Sequence, residues 1–433
     1  MTRATLAGGA FVIALLILVA LGFVARGPAT EPRVEPAAAT SPAITAEAPG
    51  VLYGRITVDR ATYEGRLRWG GDQEAFWGDY FNGTKDRNPW AVHAPRERSP
   101  LEIFGFEFGG RDRPIDLRRL FMARFGDIAR IERYFRVVQV RLKSGTVIEL
   151  DRFSAGDIDD GVRVWDVRHG VVDLDSGDIR TIEFLPTAPL VAALDRLHGT
   201  VRTRQGDFTG FIHWDQEDGV GTDELSGRVA DSERRLRYDT IRAIARRSRD
   251  SALVTLLDGS DMVLSGSRDV GHDNRGIYVD DVRYGRVLIS WDAFERAEFS
   301  SRGSGPAYGD FPAGRPLAGS VTTRDGRRFA GRLVYDFDES ETTETFDVSN
   351  EGVDYNIPFG LIASIALRGR EGSDARARVT LRDGEELHVE RSGDLGERNA
   401  GVLIFVDGRE RPEYVPWVDV EQVDLDHPPG AHR

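Results

Sequence analysis

The run HGTVRTRQGDFTGFIHWDQEDGVGTDEL, residues 198 to 225, recurs twice elsewhere in the chain, so the fold has to be a small motif that packs against its own copies. In the middle copy the pattern is Gly199, Val201, Thr203, Gly206, Phe208, Gly210, Ile212, Trp214 and Asp215. The third copy has the same types at Gly319, Val321, Thr323, Gly326, Phe329, Gly331, Leu333, Tyr335 and Asp336. The first has Gly54, Ile56, Val58, Tyr63, Gly65, Leu67 and Trp69. A second half repeats too: residues 254 to 299 match 379 to 425 at Val379, Leu381, Asp394, Asn399, Gly401 and Trp417, and match the first copy at Val140, Leu142, Gly145, Asp157 and Gly161.

Phe208, Gly210, Ile212 and Trp214 fall at every second position, so an extended chain puts them on one face and Thr209, Phe211 and His213 on the other. This predicts a strand with one buried side. Glycine on that side suits close approach of another backbone. The turns before these strands, Arg204-Gln205-Gly206 and Asp325-Gly326, carry the glycine that a tight hairpin needs. Trp69, Trp214 and Tyr335 at one equivalent position, and Trp291 and Trp417 at another, are expected in the core, because each copy must fill the same interior.

Between the halves lie LFMARFGDIARI at 120 to 131, LRYDTIRAIA at 236 to 245 and YNIPFGLIASIA at 355 to 366. Each is too short for a helix with its own core, which predicts a strand, a one-turn helix and a further strand. Short strands with Gly-bearing turns mark a small barrel or sandwich. The x-G-x-L-x-x-x-D run after a G-x-V strand, followed by an I-x-x-I strand, resembles the small SH3-like barrels of the Sm type. The resemblance covers each first half and implies the fold alone. The Asn and Arg-Gly residues that form the RNA pocket of Sm proteins have no match here; Arg275-Gly276 lies in a second half and is not repeated.

The fold class predicted is therefore all-β: three tandem repeats, each a pair of small SH3/Sm-like β-barrels, after an N-terminal hydrophobic helix. Repeats one, two and three span 51–186, 198–300 and 317–426, with linkers at 187–197 and 301–316 and a tail at 427–433. PTAPLVAALDRL, 186 to 197, suggests a brief helix between copies.

Residues 4 to 25 are uncharged and follow Arg3. A signal-peptide core is about 7 to 15 residues and a spanning helix about 20, so residues 1–26 are expected to be an uncleaved anchor, with a signal peptide as the alternative. Residues 27–50 are rich in Pro and Ala, have no apolar periodicity and read as an extended linker. The folded part is expected outside the cytoplasm, at the cell membrane, single-pass, and the absence of cysteine fits an exported protein. The net charge of -14 argues against nucleic acid as a partner.

The first copy is longer than the second, and the added part, residues 76–110, holds Trp77, Tyr80, Phe81, Asn82, Lys85 and Trp90. Long loops on a rigid scaffold are where function tends to sit. Aromatic faces beside amide and charged groups suit a sugar ring or an extended peptide, so these six residues are the candidate ligand-binding set. The competing expectation is that they form a satellite core pinning the insertion to copy one or packing it on copy three.

Acidic clusters follow the Trp/Tyr strands: Asp215, Glu217, Asp218, Asp223 and Glu224 in copy two, and Asp336, Asp338, Glu339, Glu341 and Glu344 in copy three. Their spacing matches no calcium loop, so they are read as solvated hairpin tips or charges that protect an exposed strand edge, and no metal or other cofactor is expected. The histidines lack metal-ligand spacing, and no nucleophile elbow, P-loop or dinucleotide motif is present. The function expected is a non-enzymatic binding or scaffolding module of the cell envelope, with an envelope protein or glycan as partner. The alternative is an envelope enzyme acting on polysaccharide, with Asp79 and Asp86 as candidate acids.

Overall fold

The computed structural model describes residues 49–70, 73–94, 119–151, 160–189, 195–230, 232–300, 305–367, 376–390 and 392–426, together with the backbone of short strands at 34–35, 97–98, 101–103, 106–108 and 112–113. The hydrophobic N-terminal segment lies outside the described residues, as do residues 190–194 of the linker expected to be helical. Among the described residues the chain is all-β, broken only by 3-10 turns, and no helix is long and apolar enough to cross a membrane.

Most of the strands fall into three sets of eight with one order. Unit one runs Val147–Asp151, Val137–Leu142, Ile128–Arg133, Ile179–Phe184, Tyr53–Val58, Thr62–Trp69, Val162–Asp166 and Gly170–Leu174. Unit two follows the same order with Asp261–Ser265, Ser251–Leu256, Ile241–Ser248, Phe294–Ser300, His198–Thr203, Gly206–His213, Ile277–Asp281 and Gly285–Ile289. Unit three does so with Glu386–Glu390, Arg376–Leu381, Ile362–Leu367, Val420–Leu425, Ala318–Thr323, Arg328–Tyr335, Val402–Phe405 and Glu413–Val415.

The halves of each unit do not form separate sheets. In unit two Gly206–His213 pairs with Ile277–Asp281, and Ile241–Ser248 pairs with Phe294–Ser300, so each half completes its sheet with strands of the other. The connecting elements are a strand, a 3-10 turn and a strand in all three units: the turns are Phe125–Asp127, Tyr238–Thr240 and Phe359–Leu361. Trp69, Trp214, Tyr335, Trp291 and Trp417 are buried. Trp214 meets Phe294 edge-on at 5.3 Å, and Trp69 meets Phe81 at 5.4 Å, the geometry that the ring quadrupole favours.

The repeated glycine of the second strand has a steric reason. A Cβ on Gly65, Gly210 or Gly331 would overlap the carbonyl oxygen of Trp165, Asp280 or Phe405 on the neighbouring strand. The strand is not buried on one side only, as its alternation suggests. Phe211 and His213 are buried as well, because the outer face of Gly206–His213 is covered by unit one and by Arg196, whose guanidinium sits 4.3 Å over the Phe211 ring.

Units two and three share a sheet, since the hairpin Thr345–Asn350/Val353–Pro358 of unit three adds to Gly285–Ile289 of unit two, pairing Val287 with Tyr355 and Ile289 with Val353. One continuous apolar core runs through both. Unit one has a separate core, which Phe311 of the second linker enters. Tyr308 Oη donates to the Ile128 carbonyl at 2.8 Å, and the Lys143 ammonium lies 3.5 Å over the Tyr308 ring.

Candidate functional site

The acidic stretches fold into one recurring loop. The backbone of Trp69, Trp214 and Tyr335 exchanges hydrogen bonds with Gln73, Asp218 and Glu339, four residues on. A carboxylate then closes each loop: Asp79 accepts from the Glu74 and Ala75 amides, Asp223 from Gly219 and Val220, Glu344 from Ser340 and Glu341. A second set of locks repeats in units two and three. Asp215 and Asp336 accept from the amides of Arg275 and Ala400, while Asp269 and Asp394 accept from those of Ser226 and Asp347. These carboxylates satisfy backbone donors in the loops and in the strands beside them, and among the described residues no group of three His, Asp or Glu side chains is arranged to hold a metal ion.

Two clefts open between the units. The larger, about 800 Å³, lies between units one and two and is lined by Arg66, Arg68, Glu74, Asp79, Arg196, His213, Asp218 and Asp223 among others. His213 is buried beside Arg196 and Asp79; burial, then the neighbouring Arg286 and Arg196, hold its pKa down at about 3, so the ring is neutral. Asp218 is pushed the other way, up to about 7, by burial and then by Asp223, Asp269 and Glu217. The smaller cleft, about 410 Å³, lies where the insertion crosses from unit one to unit three. Pro89, Trp90 and Val92 form one wall, and Leu142, Val147 and Ile148 the other.

At the base of the smaller cleft Lys85 is buried, with Nζ 2.7 Å from Asp338 and 2.9 Å from Glu344. Burial alone would lower the Lys85 pKa, but Glu344, Asp338 and Glu339 reverse that and hold it above its ordinary value. Asp338 goes up to about 6, because burial outweighs the pull of Lys85. Beside them Glu341 accepts from Ser144 Oγ at 3.0 Å and from Thr146 Oγ1.

Of the six residues nominated from sequence, Lys85 and Trp90 face one cleft together. Trp90 packs against Phe405 at 5.7 Å and under the Arg332 guanidinium, held by a bond from its amide to Asn88 Oδ1. The other four lie elsewhere. Trp77 donates from Nε1 to the Asp280 carbonyl and packs on Phe311 at 6.2 Å. Tyr80 is buried under Arg286, whose guanidinium sits 4.1 Å over the ring, and Phe81 is in the core of unit one. Asn82 is exposed on the strand Tyr80–Thr84. Asp79 lines the larger cleft, whereas Asp86 is exposed beside Glu149, where its amide donates to the Glu149 carbonyl, so the two candidate acids line no common cleft.

Sequence reasoning did not find Arg196, Asp280 and Arg286, which join units one and two: Arg196 Nη1 donates to the Trp77 carbonyl at 2.6 Å, and Arg286 bonds Asp280 and the Gly78 carbonyl. Nothing local marks them, since their partners in unit one, Trp77 and Gly78, are more than a hundred residues away. No family model, curated protein or solved structure matches the chain.

Proposed function

We propose that the protein is a non-enzymatic binding and scaffolding module of the cell envelope, held at the membrane by its N-terminal hydrophobic segment with the three units outside the cytoplasm. The units are read as tandem SH3/Sm-like barrels whose halves have exchanged strands. The carrying observation is the smaller cleft. Pro89, Trp90, Val92, Leu142, Val147 and Ile148 give it apolar surface between polar side chains such as Arg87, Thr146 and Glu149, its base is a buried ammonium with two carboxylates, and Val92 is 82% exposed. Apolar surface with a few fixed polar groups is the usual make-up of a recognition cleft. The loop carboxylates, by contrast, are occupied by backbone donors, which suits scaffold better than turnover.

The partner is an envelope protein or glycan presenting a flat apolar or ring surface to Trp90. The test is equilibrium binding of the full chain to envelope glycans and envelope proteins, with Trp90→Ala as the paired variant. Binding that weakens about tenfold or more in the variant at unchanged stability supports the assignment. Binding indifferent to the substitution removes the cleft from it.

A further inference from the structure

The core of unit one leaves two aromatic rings at one of its turns unused. We propose that this turn, Tyr134–Phe135–Arg136, lies in the headgroup layer of a bilayer as a second membrane contact, an inference that rests on the reading of residues 1–26 as the membrane anchor.

Tyr134 and Phe135 are 51% and 82% exposed, and neither belongs to the core of unit one. The turn that presents them is fixed: the Tyr134 amide donates to the Val137 carbonyl at 2.8 Å, closing the hairpin between Ile128–Arg133 and Val137–Leu142. The Arg136 guanidinium stays beside the Phe135 ring, 5.8 Å from its centre. The rings are particular to this copy. The corresponding turn of unit two is Arg249–Asp250, whose carboxylate meets His272, and the corresponding stretch of unit three, residues 368–375, reads RGREGSDA in sequence. Residues that fill the repeated core recur from copy to copy, as Trp69, Trp214 and Tyr335 do, whereas these rings do not.

The surroundings of the turn favour a lipid surface. Ile179 lies beside Val58 and Thr181 beside Glu132, so the strand Ile179–Phe184 brings the turn 59–61 and the loop 177–178 next to Tyr134 and Phe135. Arg133 Nη1 donates to the Gly177 carbonyl at 2.7 Å, and Arg180 pairs with Asp59 at 2.6 Å. Arg60, Arg133 and Arg136 remain here against Asp178. In a chain of net charge -14, this corner can approach anionic headgroups that the remainder repels. Aromatic rings flanked by arginine suit the boundary between acyl chains and headgroups, where the ring is apolar and the guanidinium stays wet.

Unit one is also the unit nearest the anchor. The short strand Val34–Glu35 pairs with Val172 and Val171 of unit one, so only residues 27–33 separate it from the hydrophobic segment, at most about 25 Å of chain. Two rings on a convex turn cover far less than the about 800 Å² per partner of a standard protein interface. A bilayer needs no matching surface, and in a chain already anchored the high effective concentration makes a weak contact count.

The chain has no cysteine, so one introduced cysteine takes a single fluorescent dye. The full chain carrying the dye at Asp178→Cys, on the neighbouring loop, is reconstituted into vesicles of equal parts phosphatidylcholine and phosphatidylglycerol with a nitroxide headgroup lipid. Dye at Val282→Cys on unit two is the exposed control, and dye at Leu16→Cys, read with an acyl-chain nitroxide, reports the anchor. The expected result is quenching at position 178 several-fold stronger than at 282, falling to the level at 282 in Tyr134→Ser/Phe135→Ser, with Phe135→Ser alone as the second variant. Quenching at 16 with none at 178 overturns the proposal and leaves the anchor in place, and quenching at neither overturns both. Quenching at 178 alone, lost in the variants, retains the turn and removes the anchor. Quenching at 178 that survives both variants, or only equals that at 282, overturns the proposal.

Discussion

Replacing Lys85 by methionine keeps the length of the side chain and removes its charge, which isolates the link between the insertion of unit one and the acidic loop of unit three. Lys85 is 8% exposed and makes two charge-assisted hydrogen bonds, to Asp338 and Glu344, themselves 6% and 9% exposed. Each such bond is worth about 1.5–3 kcal/mol, and breaking a buried pair by deleting one partner costs about 3–5 kcal/mol, so a loss of about 3–5 kcal/mol is expected at pH 8. The Lys85 pKa is raised in the folded state, so its contribution is complete below its unfolded value of 10.5 and is lost only as pH rises through the folded one. Asp338 behaves differently. It is already up at about 6 against the pull of Lys85, and without that pull it takes a proton close to neutrality, which relieves part of the penalty. The gap between wild type and Lys85→Met should therefore narrow as pH falls from 8 to 5. Urea unfolding followed by tryptophan fluorescence measures it. A loss below about 1 kcal/mol at pH 8, or a gap independent of pH, refutes a buried, load-sharing ion pair at this site.

Three further outcomes follow from the packing. Gly210→Ala, whose methyl overlaps the Asp280 carbonyl, should lower the urea midpoint by the equivalent of about 1–3 kcal/mol. Phe311→Ala should cost about 3–5 kcal/mol and be read as an earlier unfolding transition of unit one, because the ring fills that core from the second linker. For His213 the folded pKa of about 3 lies below the ordinary 6.5, so the unfolded chain binds the extra proton as pH falls through that window. Wild type should lose up to about 1.4 kcal/mol per pH unit relative to His213→Gln between pH 6 and 4, with no relative change above pH 7. A parallel pH dependence of the two proteins contradicts the burial of a neutral ring.

Much of each strand was legible from the residues. The alternation of Phe208, Ile212 and Trp214 identified the inward face, the I-x-x-I elements identified the strand, turn and strand, and the repeated glycine identified a backbone contact. Pairing was not legible. Period two states which side chains share a face but not which strand lies alongside, so the pairing of Ile277–Asp281 and Phe294–Ser300 with strands of the first half has no local mark. The same limit applies to the candidate site. Trp90 and Lys85 stood out as an aromatic and a cation in an unrepeated loop, but Asp338 and Glu344 looked like a solvated acidic run until the fold placed them around the ammonium. Phe211 and His213 read as an outer face because contact between units leaves no trace in a single strand.

The binding assignment is tested most directly by placing a photo-crosslinking residue in the full chain in its native cell, at Val92 and Val147 beside the smaller cleft and at Val282 on unit two as the exposed control. The account predicts defined adducts with an envelope protein or glycan from Val92 and Val147, lost when Trp90→Ala is added, and none from Val282. Equal labelling from all three positions, or adducts that survive Trp90→Ala, contradicts it.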